Sequence, residues 1–185
     1  MVISVFKKIL FSPNNGWNML KEATLPSKHI VFQLLLPIVL IASLITFGGT
    51  FSLPESNIDL AFQYLGFTFF KWFSTVLIST WAINKLVGGF KGKKNFSNSL
   101  FIIVVSTLFP IFFLSLSHIF PQLSKPLLLL SLIGLIYYLF GFIALAQIPN
   151  ERFVGFLLIS SLIFAVNLLF MQLFWGAVFN IPFSL

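Results

Sequence analysis

Few side chains in this sequence could do chemistry, and Lys71 stands out among them because it interrupts an otherwise apolar stretch from about residue 60 to 83. Tyr64, Thr68, Lys71, Thr75 and Ser79 follow one another at three- and four-residue steps. On a helix that spacing makes a single stripe. A charge near the middle of a bilayer costs roughly 2.5–3.5 kcal/mol on insertion scales, so the stripe should face protein or water and not lipid. Two roles fit Lys71. It lines a wet cavity or binds an anionic group, or it is structural and snorkels along its four-carbon stem. No acidic residue interrupts any other apolar stretch. Counting inward from the outer ends brings Asn167, Tyr137 and Tyr138 to a similar depth. These side chains, or carbonyls freed by a proline, are the expected partners. The expected intramembrane polar cluster is Lys71, Thr68, Thr75, Tyr138 and Asn167.

Catalysis is hard to assemble from what remains. The four carboxylates, Glu22, Glu55, Asp59 and Glu151, all fall in arms or loops. Glu55 and Asp59 are spaced to share a helix face, but no base or metal partner lies nearby, so they read as a solvated face. His29 and His118 sit at opposite ends of their stretches, about 30 Å apart across a bilayer, too far to share a metal. There is no cysteine, hence no disulfide and no thiolate ligand or nucleophile. The glycine-rich GGFKGKKNFS lacks the spacing of a phosphate-binding nucleotide loop. The sequence therefore predicts no catalytic residue, no metal and no cofactor. Lys91, Lys93 and Lys94 in that loop are instead suited to anionic lipid headgroups, at about 1 kcal/mol per lysine near the surface.

The elements that must position these residues follow from composition. Apolar residues make up 58% of the 185 residues and charged residues only 8%. A soluble domain carries about a quarter charged residues, so this chain cannot clothe itself against water. That excludes a soluble globule, a disordered tail and a nucleic-acid module, despite the net charge of +7. A helix needs about 20 apolar residues to cross the hydrocarbon core. Five stretches qualify: 29–47, 60–83, 99–117, 127–148 and 153–178. Helices satisfy their own backbone groups in lipid, and nothing alternates as barrel strands would. The expected fold is all-α: a polytopic membrane bundle of five transmembrane helices over 29–185, preceded by a short amphipathic arm over 1–28.

Gly48 and Gly49 are expected to end the first span and Gly88 and Gly89 the second, with glycine free to take a left-handed cap. Pro121 and Pro126 bracket the next turn, and Pro149 and Asn150 open the last. Pro37 and Pro110 lie inside spans and should kink them. In the arm, Ile3, Phe6, Ile9 and Leu10 recur at helical spacing beside Lys7 and Lys8. Beyond Pro13, Trp17, Leu20 and Thr24 share a face, with Lys21 and Glu22 turned away. Such segments lie at headgroup level. The lysines inside its apolar stretch and the lack of a small-residue cleavage site predict that the N-terminus is retained. Lys7, Lys8, Lys21, Lys28, Lys85, Lys91, Lys93, Lys94 and Arg152 fall on one side of the five spans, and only Lys125 on the other. The positive-inside rule then puts the N-terminus in the cytoplasm and the C-terminus outside. Ser131, Gly134, Tyr138 and Gly141 make a small-residue packing stripe, and Ser160 with Asn167 an inward face on the last span.

The order LFSPNNGWNMLKEA, LLPIVLIAS, LVGGFKGKKNFSNSLFIIVVSTLFP and YLFGFIALAQIPNERF resembles the Yip-one family of five-span membrane proteins, in its short bacterial branch. The GG loop and the stretch Ser106, Thr107, Pro110 are its most distinctive parts. Eukaryotic members of that family are associated with Rab-type GTPases and vesicle traffic, through a cytosolic region with an Asp-Leu-Tyr-Gly-Pro motif. This chain has no such motif, so the resemblance implies architecture, a bacterial cytoplasmic membrane and no GTPase-binding residue. The expected function is a non-enzymatic membrane scaffold or interaction module. Its partners would be the lipid bilayer, anionic headgroups, other membrane proteins or a second copy. The alternative is a small transporter or channel component using the stripe around Lys71. Five spans with no internal repeat weigh against a standalone inverted-repeat transporter.

Overall fold

The structure, a computed structural model, describes residues 2–22, 25–53 and 57–181, and all regular structure among them is helical. Two short helices lead, α1 (Val2–Phe11) and α2 (Pro13–Glu22). Five long ones follow: α3 (Ser27–Phe51), α4 (Ile58–Gly89), α5 (Phe96–Leu116), α6 (Pro121–Leu145) and α7 (Asn150–Val178). Helices α3, α5, α6 and α7 are long and apolar enough to cross a membrane. Helix α4 is the longest, at 32 residues, but Gln63, Lys71 and its hydroxyl-bearing stripe make it more polar than the others.

Local chemistry explains most of the boundaries. Asn57 caps α4, its Oδ1 accepting from Leu60 N at 2.7 Å, and Asn95 caps α5 by accepting from Asn98 N at 3.1 Å. Asp59 and Glu151 occupy the first turns of α4 and α7, where a negative charge favours the helix dipole. Glu55, Thr24 and the side chain of Glu22 lie outside the described residues.

Several expected breaks differ. Helix α3 runs through Gly48 and Gly49 to Phe51, because Gly49 serves a close approach instead of a stop. A Cβ there would lie 2.6 Å from the carbonyl carbon of His118, beyond the end of α5. No glycine takes a left-handed conformation after α4; Lys91, at φ 60, makes that turn. Pro121 opens α6 and Pro126 falls inside it, near its start, where a missing backbone donor costs nothing. The π-helical turn Val31–Leu35 directly precedes Pro37, and its wider winding accommodates the absent N–H. Pro110 deprives the Ser106 carbonyl of its helical donor. Gly134 of α6 lies directly against that carbonyl, where any Cβ would collide with it.

Helix α5 is the axis of the molecule. Every residue from Ser99 to Thr107 is buried, and α3, α4 and α6 pack around it. Its core hydroxyls bond within their own helix: Ser106 Oγ donates to Ile102 O at 2.6 Å and Thr107 Oγ1 to Ile103 O at 2.7 Å. The stripe Ser131, Gly134, Tyr138, Gly141 is buried as expected and packs within the chain, with Gly141 against Ile102 and Trp17. Helix α7 attaches chiefly to α4 and turns Leu158, Leu162, Val166 and Phe170 outward.

The arm joins this same core. Val2, Val5, Ile9, Trp17 and Leu20 are buried with the residues of the bundle. Gly16 lets α2 cross α1, since a Cβ would sit 2.6 Å from the Ile9 backbone. Trp17 meets Phe101 edge-on at 6.4 Å between ring centres, and Tyr137 Oη donates to Leu10 O at 3.1 Å. The buried face of α1 is thus Val2, Val5 and Ile9; Ile3, expected on it, is half exposed. The arm's inward face is set by what the bundle offers, a constraint that helical periodicity alone does not contain.

Candidate functional site

Helices α4 and α7 run antiparallel along a polar seam. Lys71 Nζ donates to Gln172 Oε1 at 3.0 Å. The rings of Phe67 and Trp72 flank the ammonium at 4.7 and 5.2 Å from their centres, within cation–π range. Toward the basic end of α4, Asn167 Nδ2 donates to Thr75 O at 3.0 Å and to Ser79 Oγ at 2.8 Å. On the flank, Trp175 Nε1 donates to Ser74 Oγ at 3.0 Å. Thr68, Thr75 and Ser79 are buried, so the stripe points inward as its spacing predicts.

Of the five residues expected to cluster, Lys71, Thr75 and Asn167 share this seam, and Thr68 is buried one turn along α4 from Lys71. Asn167 meets the stripe at Thr75 and Ser79, and not at Lys71. Tyr138 belongs elsewhere. It packs on Phe142 at 4.8 Å and lines a cavity of about 230 Å³ with Ser106, Pro110, Gly134 and Ser161, between α5, α6 and α7. Its hydroxyl is buried, facing Ser160 of α7. Tyr137 turns to the arm. The sequence reading missed Gln172, Ser74 and Trp175. Gln172 carried a usable signal, being the second of two amides in the last apolar stretch, five residues beyond Asn167.

The two ends of the bundle differ in charge. At one end, Ser27 Oγ and Ser97 Oγ share a hydrogen bond at 2.7 Å, joining the starts of α3 and α5. Ser99 Oγ donates to Asn84 Oδ1 at 3.2 Å, bringing in the end of α4. Lys93 N donates to Ala146 O at 2.8 Å, tying in the end of α6. Lys21, Lys28, Lys85, Lys91, Lys93, Lys94 and Arg152 belong to segments that meet here. Lys91, Lys93 and Lys94 are all exposed, but they are not equivalent: the stem of Lys94 lies across Gly88, while Lys93 faces the arm across a second cavity. At the far end, His118 stacks edge-on with Tyr64 at 5.7 Å. Burial, and then the positive charge of Lys71, hold the His118 imidazole below the usual histidine range.

Among the described residues, no three His, Asp or Glu side chains converge as metal ligands would. Compared with known proteins, the chain matches no family model, no curated protein and no solved structure. The class that the fold itself defines is an all-helical bundle, four of whose helices are apolar and long enough for a membrane.

Proposed function

We propose that this chain is a non-enzymatic integral membrane protein of the Yip-one type that crosses the bilayer five times, with α4 as the fifth crossing, and serves as a scaffold or interaction module. The observation that carries this reading is the sorting of surface by chemistry. The outward faces of α6 and α7 are almost wholly aliphatic and aromatic, with Leu129, Ile143, Leu158 and Leu162 among the most exposed residues. Seven of the eleven basic residues belong to segments that meet at one end, so the positive-inside rule sets the N-terminus in the cytoplasm and the C-terminus outside. Helix α4 tolerates Lys71 in lipid because Gln172, Phe67 and Trp72 receive it. Helix α2 of the arm, through Lys21, extends the surface offered at the cytoplasmic face, where partner proteins or a second copy would engage.

Labelling tests this reading directly, because the chain has no cysteine to remove. Single cysteines at 58 and 123 should react only from outside intact cells, and those at 93 and 150 only from inside. Reaction of 58 and 93 from the same side refutes five crossings. A second reading, a small transporter or channel component, draws on the polar seam around Lys71. Water access at 68, 75 and 167 is its test. If all three are inaccessible, that reading loses its support.

A further inference from the structure

We infer that the basic end of the bundle carries a site for the phosphate of one anionic phospholipid, seated between Lys21 of the arm and Lys93 of the loop before α5. The inference deepens the membrane reading above and rests on it. A cavity of about 290 Å³ opens there, nearly twice the roughly 150 Å³ that holds a benzene in an apolar core. Its lining is divided by chemistry. Lys21, Lys93, Ser97, Asn98 and Gln147 supply the polar wall, and Leu20, Leu25 and Leu145 the apolar one.

Three features of the polar wall select an anion. Among the described residues it contains no carboxylate. Both lysines are exposed, and neither has an ion-pair partner among the described residues. The wall also lies at the start of α5, a helix of 21 residues, whose dipole adds positive potential at that point. The lysines come from segments far apart in sequence, and the backbone holds them in place. Lys93 N is tied to Ala146 O at 2.8 Å, and Ser27 and Ser97 clamp the starts of α3 and α5 at 2.7 Å. Lys91 and Lys94, in the same loop, do not line the cavity.

The apolar wall decides between a lipid and a free phosphate. An inorganic ion would be surrounded by water, with nothing to place on three leucines. A phospholipid held by its phosphate would lay its glycerol and first methylenes there, at the depth where the arm's buried face meets the bundle. The site needs both the arm and the loop, so an occupied site would fasten α2 to the bundle.

The test uses the full chain purified in neutral detergent. It is titrated separately with short-chain phosphatidylglycerol, with phosphatidylcholine of the same chains and with inorganic phosphate, and binding is read by native mass spectrometry. Phosphatidylglycerol should bind in preference to the other two. Lys21→Gln and Lys93→Gln should each weaken it about fivefold, the loss expected for one lysine at a membrane surface. Lys93→Arg should retain binding, and Lys91→Gln, outside the cavity, should leave it unchanged. The inference is overturned if Lys91→Gln weakens binding as much as Lys93→Gln, which would mean diffuse attraction, or if inorganic phosphate competes at equal concentration. Recovery of the chain as a stable particle without detergent would refute the membrane reading instead, so the two failures are distinguishable.

Discussion

Two adjacent glycines offer a sharp test of the packing argument, because they share a helix, a neighbour and an amino-acid type. A Cβ added at Gly48 meets nothing within 4 Å. One added at Gly49 would lie 2.6 Å from His118 C and 2.8 Å from both His118 O and Ile119 N, against an ordinary contact of at least 3.4 Å. The shortfall is about 0.8 Å at the closest atom, and all three atoms are backbone, so no side chain can rotate away. Gly48→Ala should therefore gain the helix-interior preference of alanine, about 0.5–1 kcal/mol. Gly49→Ala gains the same but must push α3 from the end of α5, and overpacking of this kind costs about 1–3 kcal/mol. The two variants should then differ by roughly 1–3 kcal/mol, with Gly48→Ala the more stable. Reversible unfolding in mixed detergent, followed by tryptophan fluorescence, measures the difference. Equal stabilities would refute the close approach of α3 to His118.

Other consequences are testable in the same assay. Removing Asn167 (Asn167→Leu) should cost about 1 kcal/mol through its two donor bonds to α4, near the upper part of the range for such bonds in membranes; a gain in stability would mean that the seam is not formed there. A double-mutant cycle between Lys71→Met and Gln172→Leu should give a coupling of about 0.6–1.7 kcal/mol, whereas Lys71→Met with Asn167→Leu should be closer to additive. His118 is held below its ordinary value in the folded chain, so the unfolded chain binds the proton more readily. Its contribution to stability is full above the unfolded value of about 6.5 and declines as pH falls through and below it. His118→Gln should flatten the profile in that window, and an unchanged acid limb would contradict it. Gly16→Val should separate α2 from α1 and expose Trp17, seen as a red-shifted, more quenchable indole emission; no change in emission would sink the crossing at Ile9.

The helices were legible in the sequence because a membrane-scale apolar run is a one-dimensional signal. The inward stripe of α4 was legible for a similar reason: Thr68, Lys71, Thr75 and Ser79 report their own spacing. Register between helices was not. Counting depth from the helix ends set Lys71 opposite Asn167, as though both ends were flush. In the structure Lys71 pairs with Gln172, a slide of five residues along α7 that places Asn167 beside Thr75 and Ser79. The outer ends are not flush: Phe179, just past the end of α7, lies against Gly66, two turns inside α4. Tyr138 failed for a related reason. Depth was estimated but azimuth was not, and its side of α6 faces Ser106 and Ser161 instead of the seam. The inward face of the arm was equally out of reach, since Val2 and Val5 are as apolar as Ile3 and only the bundle distinguishes them.

The placement of hydrogen-bond partners also bears on how such a chain is made. Ser106 and Thr107 of the central helix satisfy their hydroxyls on their own preceding turns, so on the membrane reading proposed above α5 would rest in the bilayer before α6 exists to shelter it. Asn167 and Gln172 have no such internal recourse, and each needs a partner on α4. They are also synthesised long after their partners on α4, Thr75, Ser79 and Lys71. On that reading the order of synthesis spares the neediest side chains any long wait in hydrocarbon.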